Sequence, residues 1–222
     1  MTLEERVSRV RRTLEQESAP WGRCPRLIAV TKYSAPQEIL PLRDMGVEDI
    51  GENRVQSIRE KLPYLEGKFS IHLIGQLQTN KVKYIIKDVC MIHSLDRESL
   101  AQEIDRQAQK AGLRMPVLLQ VNIAREPQKG GIAEEELFPF LRLCAALPGL
   151  QVKGLMAMMP LGAEEDILTG YFTRMRRLLE ECRQEAVGNT DMTELSMGMS
   201  QDYGLAARCG ATMVRVGSAL FR

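Results

Sequence analysis

The sequence lacks the features that would tie the chain to a membrane or to a nucleic acid. No apolar run approaches the roughly 20 residues that cross a bilayer, and the formal net charge of +1 creates no strong field for anionic partners. The opening stretch, MTLEERVSRVRRTLEQ, has no apolar core of the signal-peptide kind, and its apolar residues fall at helical spacing. We therefore expect a cytoplasmic protein with an N-terminal amphipathic helix, and with neither membrane nor nucleic acid among its partners.

Cysteine and histidine are too few and too scattered for a disulfide framework or a metal site. The five cysteines are an odd number without a CxxC pair, and the two histidines have no carboxylates at metal-ligand spacing. We expect reduced, buried thiols in a reducing compartment, and no metal. The cysteines are Cys24, Cys90, Cys144, Cys182 and Cys209.

Short apolar runs alternate with charged stretches of helical periodicity along the whole chain. Eight such runs predict the strands of a closed parallel (β/α)8 barrel, formed as one domain over residues 1–222. An open doubly wound sheet is the alternative, but the segment after the first run, KYSAPQ, lacks the glycine-rich loop typical of that fold. The predicted strands are 26–32, 47–53, 70–76, 90–96, 116–123, 151–159, 193–198 and 212–218. The predicted helices after the first are 36–46, 54–65, 97–112, 133–147, 167–186 and a short one within 200–210.

Polar residues gather at the ends of the predicted strands rather than at their starts. Lys32 closes the first run, Asn53 closes the second, and Arg215 and Ser218 finish the eighth. Lys32 on its own has a simple explanation, since the strand ends there and the amine reaches water. Because active sites of such barrels lie at the carboxyl ends of the strands, the common rim favours a reactive lysine.

Two loops carry glycine and serine at the positions where barrels bind phosphate, after the seventh and eighth strands. They are SMGMS, which contains Ser196 and Ser200, and RVGSAL, which contains Gly217 and Ser218. Glycine allows close backbone approach, and hydroxyls beside exposed amides suit a phosphate. Such loops are also ordinary turns when they occur singly, but the pair predicts a phosphate ligand.

An amine and a phosphate site together suit a phosphorylated aldehyde held as a Schiff base, of which pyridoxal 5'-phosphate is the common example. At the mouth of an apolar barrel we expect partial desolvation to favour the neutral, nucleophilic form of Lys32. Arg215 shares a strand face with Gly217, so its guanidinium could donate to the pyridine nitrogen. A salt bridge from Arg215 to Glu52 or Asp96 is the alternative.

Eight motifs, in this order and spacing, resemble the pyridoxal phosphate homeostasis protein family (YggS/PROSC type) over nearly the whole chain. They are AVTK (29–32), GENRVQ (51–56), HLIGQLQTNK (72–81), HSLDR (93–97), VNI with a following KGGI (121–132), GLMAMMP (154–160), LSMGMSQDY (195–203) and VRVGSALF (214–221).

The resemblance implies one barrel of the alanine racemase N-terminal type, which is pyridoxal phosphate fold type III. It also implies pyridoxal phosphate linked to Lys32, phosphate contacts from Ser196, Gly217 and Ser218, and Arg215 facing the pyridine nitrogen. Asn53 is a candidate at the rim, whereas His72, early in its strand, is expected to be a hydrogen-bonded core residue.

The family's role is cofactor (vitamin B6) homeostasis, so we expect a monomeric carrier that delivers pyridoxal phosphate, with apo-enzymes as recipients, rather than an enzyme. A pyridoxal phosphate-dependent amino-acid racemase is the alternative function. Racemisation needs a base on each face of the substrate carbon, and only Tyr33 and Tyr203 of the five tyrosines are expected near the rim. Tyr203 is as readily explained as the start of a helix.

Overall fold

The computed structural model describes residues 1–185, 188 and 190–222, and their eight strands form a closed barrel. Each strand pairs in parallel with its neighbours in sequence, and β8 pairs with β1. The prediction of a barrel over an open sheet is therefore confirmed. The strands are β1 (Arg26–Val30), β2 (Asp49–Glu52), β3 (Ser70–Leu73), β4 (Met91–Leu95), β5 (Met115–Gln120), β6 (Leu150–Met156), β7 (Thr190–Ser196) and β8 (Met213–Val216).

Helices cover the outside of the barrel, mostly where the sequence predicts them. Pro41 divides the predicted helix 36–46 into two short helices, because proline has no N–H for the helical ladder. Of the predicted helix 167–186, Ala186 lies outside the described residues. The α-helices are α1 (Leu3–Ser18), α2 (Pro36–Ile39), α3 (Pro41–Asp44), α4 (Val55–Leu65), α5 (Glu98–Ala111), α6 (Leu137–Ala145), α7 (Glu165–Gln184), α8 (Tyr203–Arg208) and α9 (Ser218–Phe221). Three 3₁₀ helices span Ala19–Trp21, Thr79–Tyr84 and Glu134–Glu136.

The N-terminal helix α1 is present as expected and packs against the two last helices. Thr2 caps it and Glu5 completes a capping box, so the backbone N–H groups of both residues are hydrogen-bonded. The apolar face of α1 is buried against the body of the protein through Val7, Val10 and Leu14. Among the described residues, no helix has both the length and the hydrophobicity that a membrane span needs.

Residues of β1 alternate between its two faces. Ile28 lies inside the barrel in a small cluster with Met91 and Met213, whereas Ala29 packs in the larger core between strands and helices. The predicted strands, however, overrun the observed ones at their carboxyl ends. β1 ends at Val30, so Lys32 lies in the loop beyond it and does not close the strand.

The expectation that all five thiols are buried is only partly correct. Cys144 and Cys182 are buried in the core, where burial raises the pKa of each thiol to about 12. Cys209 is partly buried, and Cys24 and Cys90 are exposed. All five are free thiols.

Candidate functional site

A cavity of about 480 Å³ opens at the carboxyl ends of the strands and collects most of the predicted site residues. Six of the seven line it, whereas Ser196 is not among its lining residues. Because parallel strands end at one rim of a barrel, residues far apart in sequence meet here. The six are Lys32, Asn53, Ser200, Arg215, Gly217 and Ser218.

Lys32 lies on the loop after β1, at the mouth of this cavity. Its side chain is exposed, and its Nζ lies 5.1 Å from the centroid of the Tyr33 ring, which is itself exposed. The partial desolvation expected from the sequence is therefore not seen at Lys32. The amine is instead accessible to a molecule that enters the cavity.

A buried ion pair holds the backbone directly before Lys32. Lys61 of α4 donates to the carbonyl of Thr31 at 2.7 Å and to Oε1 of Glu52 at 2.7 Å. The Thr31 hydroxyl donates to the same carboxylate oxygen at 2.6 Å. Nothing in the sequence pattern marks Lys61 or Thr31 as members of this cluster, and Glu52 is recognisable only by its position at the end of a strand.

The two predicted phosphate loops meet at Ser200. Its Oγ accepts hydrogen bonds from the backbone N–H groups of Gly217, at 3.0 Å, and Ala219, at 3.3 Å. The N–H of Arg215 donates to the carbonyl of Gly198, which joins the same two loops further down. Ser218 is exposed at the first position of α9. Backbone amides therefore converge at the edge of the cavity, as an anion site requires.

Arg215 is buried, and it forms hydrogen bonds rather than an ion pair. Its guanidinium donates to Oγ of Ser196 at 2.6 Å and to the carbonyl of Ala157 at 2.8 Å. Burial lowers its pKa to about 10, and the charge of Asp202 opposes this shift, so the group stays protonated at neutral pH. The alternative salt bridges are wrong, because Glu52 pairs with Lys61 and Asp96 pairs with Arg97.

Ser196 lies below the cavity floor, at the top of a line of hydrogen bonds through the barrel. Its Oγ lies 3.0 Å from Nδ1 of His93, whose Nε2 lies 2.9 Å from Nδ1 of His72. Nε2 of His72 in turn lies 2.8 Å from Oδ1 of Asp49. His72 is thus a hydrogen-bonded core residue, as expected. Sequence reasoning missed the roles of His93 and Asp49, although both lie on strands.

Asn53 follows β2 and lines the cavity. Its Oδ1 is shielded from solvent and has no hydrogen-bond partner among the described residues. Of the two tyrosines expected near the rim, Tyr33 lines the cavity, whereas Tyr203 begins α8 and packs against the core. Among the described residues, no group of three or more histidine, cysteine or carboxylate side chains could hold a metal ion.

Comparison with known proteins places this geometry in a family. The chain matches the family described as alanine racemase, N-terminal domain, over residues 3–222. It is 38% identical to the pyridoxal phosphate homeostasis protein of Aquifex aeolicus, covering 98% of this chain and 96% of that protein. PipY of Synechococcus elongatus PCC7942, solved with pyridoxal phosphate bound, superposes with a TM-score of 0.88 at 32% identity, and all of both chains is covered.

A more distant likeness extends to alanine racemases. That of Clostridium difficile 630 superposes with a TM-score of 0.75 at 16% identity, over 99% of this chain but only 56% of the racemase. This likeness shows the shared barrel alone. The chain belongs to the alanine racemase N-terminal domain family and, within it, to the pyridoxal phosphate homeostasis proteins.

Proposed function

We propose that this protein binds pyridoxal 5'-phosphate, holds it as a Schiff base on Lys32 and acts as a carrier in vitamin B6 homeostasis rather than as an enzyme. The observation that carries the proposal is the placement of an accessible amine, a buried guanidinium and two amide-rich loops around one cavity. The naming of the Aquifex aeolicus relative and the cofactor bound to PipY support the same conclusion.

The residues present fit the cofactor at its phosphate end. The N–H groups of Gly217 and Ala219 converge on one oxygen, that of Ser200, and would bind a phosphate oxygen in its place, with the hydroxyls of Ser200 and Ser218 beside it. A side chain at Gly217 would crowd this cradle, because a Cβ there would lie 3.2 Å from Cβ of Val30. Ser196 was also expected to bind the phosphate, but its hydroxyl is buried against Arg215 and His93. Ser200 is therefore the better-placed serine.

The remaining residues have roles that follow from their positions. When bound, the cofactor supplies an aldehyde that condenses with an amine. Lys32 offers that amine at the cavity mouth, and Arg215 would donate a hydrogen bond to the pyridine nitrogen without giving up its proton. Asn53 has an acceptor oxygen without a donor, which suits a hydroxyl group of the ligand. An arginine partner leaves the pyridine nitrogen unprotonated, which makes the cofactor a weak electron sink.

The carrier is favoured over a racemase because, among the described residues, no tyrosine is held across the cavity from Lys32. Racemisation needs a second base facing the first across the substrate carbon. Tyr33 alone of the five tyrosines lines the cavity in the described part of the chain, and its side chain is 79% exposed. Most of this residue faces solvent, so packing does not hold its ring against a substrate.

Delivery requires that the bound cofactor can leave, and the exposure of Lys32 is suited to this. An incoming amine can reach the Lys32 linkage from the cavity mouth and take over the aldehyde. We propose apo-enzymes that use pyridoxal phosphate as the recipients, and a monomeric protein in the cytoplasm as the carrier. Five free thiols fit a reducing compartment.

Trapping the linkage tests the binding proposal. The protein is mixed with pyridoxal phosphate, treated with borohydride, digested and mapped by mass spectrometry. We expect the reduced adduct on Lys32, its loss in Lys32→Ala, and no change in Lys110→Ala, which removes an exposed lysine of α5 away from the cavity. An adduct confined to another lysine, or none, would overturn the proposal.

Two measurements test the carrier against the racemase. Loaded protein should restore an apo-enzyme faster than free pyridoxal phosphate does in the presence of a scavenger of the free cofactor. Incubation with single-enantiomer amino acids in deuterated water should give no α-proton exchange at catalytic rates. Rapid exchange would establish the racemase, and no transfer advantage would reject delivery. Light scattering should give the mass of one chain.

A further inference from the structure

Five side chains join the cavity to the opposite end of the barrel through its interior. In order they are Arg215, Ser196, His93, His72 and Asp49, and each lies within 3.0 Å of the next. The strand register explains how they align. Gly51 of β2 pairs with His72, and His72 pairs with Met91 of β4. Since partners and alternate residues share a face, Asp49, His72 and His93 all point inward, one layer above another.

The chemistry of the five groups gives this line a single direction when both imidazoles are neutral. Arg215 can only donate and the Asp49 carboxylate can only accept, so with neutral rings the Ser196 oxygen accepts from Arg215 and its hydroxyl proton goes to Nδ1 of His93. His93 then donates from Nε2 to Nδ1 of His72, and His72 donates from Nε2 to the Asp49 carboxylate. Every donor meets an acceptor from one end to the other.

Protonation of His72 would reverse that direction. A His72 cation would donate to Nε2 of His93, which would then carry its proton on Nδ1 and donate to Ser196. The Ser196 oxygen would face two donors and its own proton would leave the line. The two arrangements are distinct, so the ionisation of one imidazole is linked to the hydroxyl against which Arg215 rests.

Charged and titratable groups lie near both ends of the line. At the Asp49 end, Arg26 lies 3.8 Å from the carboxylate and also pairs with Glu194, and Cys90 precedes β4. At the Arg215 end, Asp202 lies on the cavity wall. Burial holds the pKa of His93 well below its ordinary value, and the neighbouring His72, Arg215 and Arg26 add to this shift.

We propose that His93 and His72 are positioning residues for Arg215: with Ser196 and Asp49 they form a directed hydrogen-bond line that fixes the guanidinium at the cavity floor. The apolar residues beside them in the barrel interior, including Leu118 and Met156, show that hydrophobic side chains suffice to fill this space. Two imidazoles in such an interior require hydrogen-bond partners, and these two have them on both ring nitrogens. The consequence for the cofactor rests on the proposed function; the consequence for Arg215 does not.

The first test reads the histidine tautomers of the cofactor-free protein by 15N NMR at neutral pH. We expect both rings to be neutral, each with its proton on Nε2 and with Nδ1 unprotonated. A protonated His93, or a His93 with its proton on Nδ1, would overturn the directed line. This measurement needs no variant and no cofactor. It therefore tests the directed line even if variants at these buried sites fail to fold.

The second test follows the guanidinium itself. In protein labelled with 15N-arginine, exchange of the Arg215 Nη–H groups with solvent should accelerate about fivefold in His93→Leu, the factor expected when one ordinary hydrogen bond is lost. His93→Gln, which keeps a donor and an acceptor, should restore part of the protection, which a purely space-filling role would not do. Unchanged exchange in His93→Leu would overturn the proposal.

The third test uses the far end of the line, away from the cavity. Asp49→Asn keeps the shape but removes the terminal charge, and Asp191→Asn is the matched control at the start of β7, where Asp191 pairs with the exposed end of Lys153. We expect Asp49→Asn alone to shift the pH dependence of the bound-cofactor absorption band. An identical pH profile in both variants would reject coupling across the barrel. Failure of the unmutated protein to bind pyridoxal phosphate would instead reject the proposed function and leave the tautomer result standing.

Discussion

Lys61 and Glu52 form an ion pair of 2.7 Å at the back of the loop that carries Lys32, with side chains that are 12% and 1% exposed. The same ammonium group donates to the Thr31 carbonyl. The peptide that leads into Lys32 is therefore held by a charge that is itself almost out of water.

Replacing Lys61 with methionine should destabilise the protein by about 3 kcal/mol, because it leaves the Glu52 carboxylate buried without its counter-ion. Urea denaturation would measure the free energy of unfolding. The double variant Lys61→Met/Glu52→Gln should recover more than half of the loss, since the amide can still accept from Thr31. Lys110→Met, on an exposed helix surface, is the control. A loss below about 1 kcal/mol in Lys61→Met would show that the pair is as weak as a surface salt bridge.

Gly198 lies in the phosphate loop that follows β7, and its backbone has a left-handed conformation that favours glycine. Its φ is +89°, and a Cβ there would lie 2.5 Å from Cβ of Ala206. Gly198→Ala should therefore lower the free energy of unfolding by at least about 2 kcal/mol, from backbone strain and overpacking together.

Gly170→Ala is the natural comparison for Gly198→Ala. Gly170 lies inside α7, and a Cβ there would have nothing within 4 Å. Alanine should stabilise the helix by about 0.5–1 kcal/mol. If both substitutions changed stability in the same direction, local packing would not be the cause of the Gly198 effect.

Stability should fall as the pH drops below the ordinary pKa of histidine, because His93 resists protonation in the folded protein. Burial, helped by His72, Arg215 and Arg26, holds its pKa well below the usual value. The unfolded chain binds a proton below about pH 6.5 and the folded chain does not, so the free energy of unfolding decreases by up to about 1.4 kcal/mol per pH unit. Carboxylates also titrate in acid, so the difference between the unmutated protein and His93→Gln isolates this contribution. Equal slopes in both proteins would contradict the prediction.

The barrel was predictable because its strands and helices have different periodicities, and these are visible in the sequence. The ends of the strands were harder to predict, because the alternating pattern of β1 continues through Thr31 although the strand ends at Val30. Parallel strands bring their carboxyl ends together, which is why Lys32, Asn53 and Arg215 could be assigned to one rim. The direction of a side chain within that rim does not follow from the strand pattern, which is why the burial of the Ser196 hydroxyl against Arg215 and His93 could not be predicted.

The line through the barrel could not be found in the same way. Asp49, His72 and His93 lie on three strands, and their alignment depends on the stagger between those strands, which no single stretch of sequence contains. The ion pair of Glu52 with Lys61 is similar, because it joins a strand end to the middle of the following helix. Contacts set by register and by helix docking emerge only from the folded chain.

Gly217→Ala should separate cofactor binding from stability. The φ of Gly217 is −119°, so alanine adopts the backbone without strain, but its Cβ would lie 3.2 Å from Cβ of Val30. The loop must then move by a few tenths of an ångström, and its N–H groups no longer converge on one point. We expect the Kd for pyridoxal phosphate, measured by absorption titration, to rise roughly tenfold, which corresponds to the loss of about one charge-assisted hydrogen bond.

The melting temperature of Gly217→Ala should change little. The control Gly170→Ala should also keep its melting temperature nearly unchanged and should bind pyridoxal phosphate normally. An unchanged Kd in Gly217→Ala would mean that the phosphate does not bind to this loop. A ligand that accepts a hydrogen bond from the Gly217 N–H would bind more weakly once that N–H group moves.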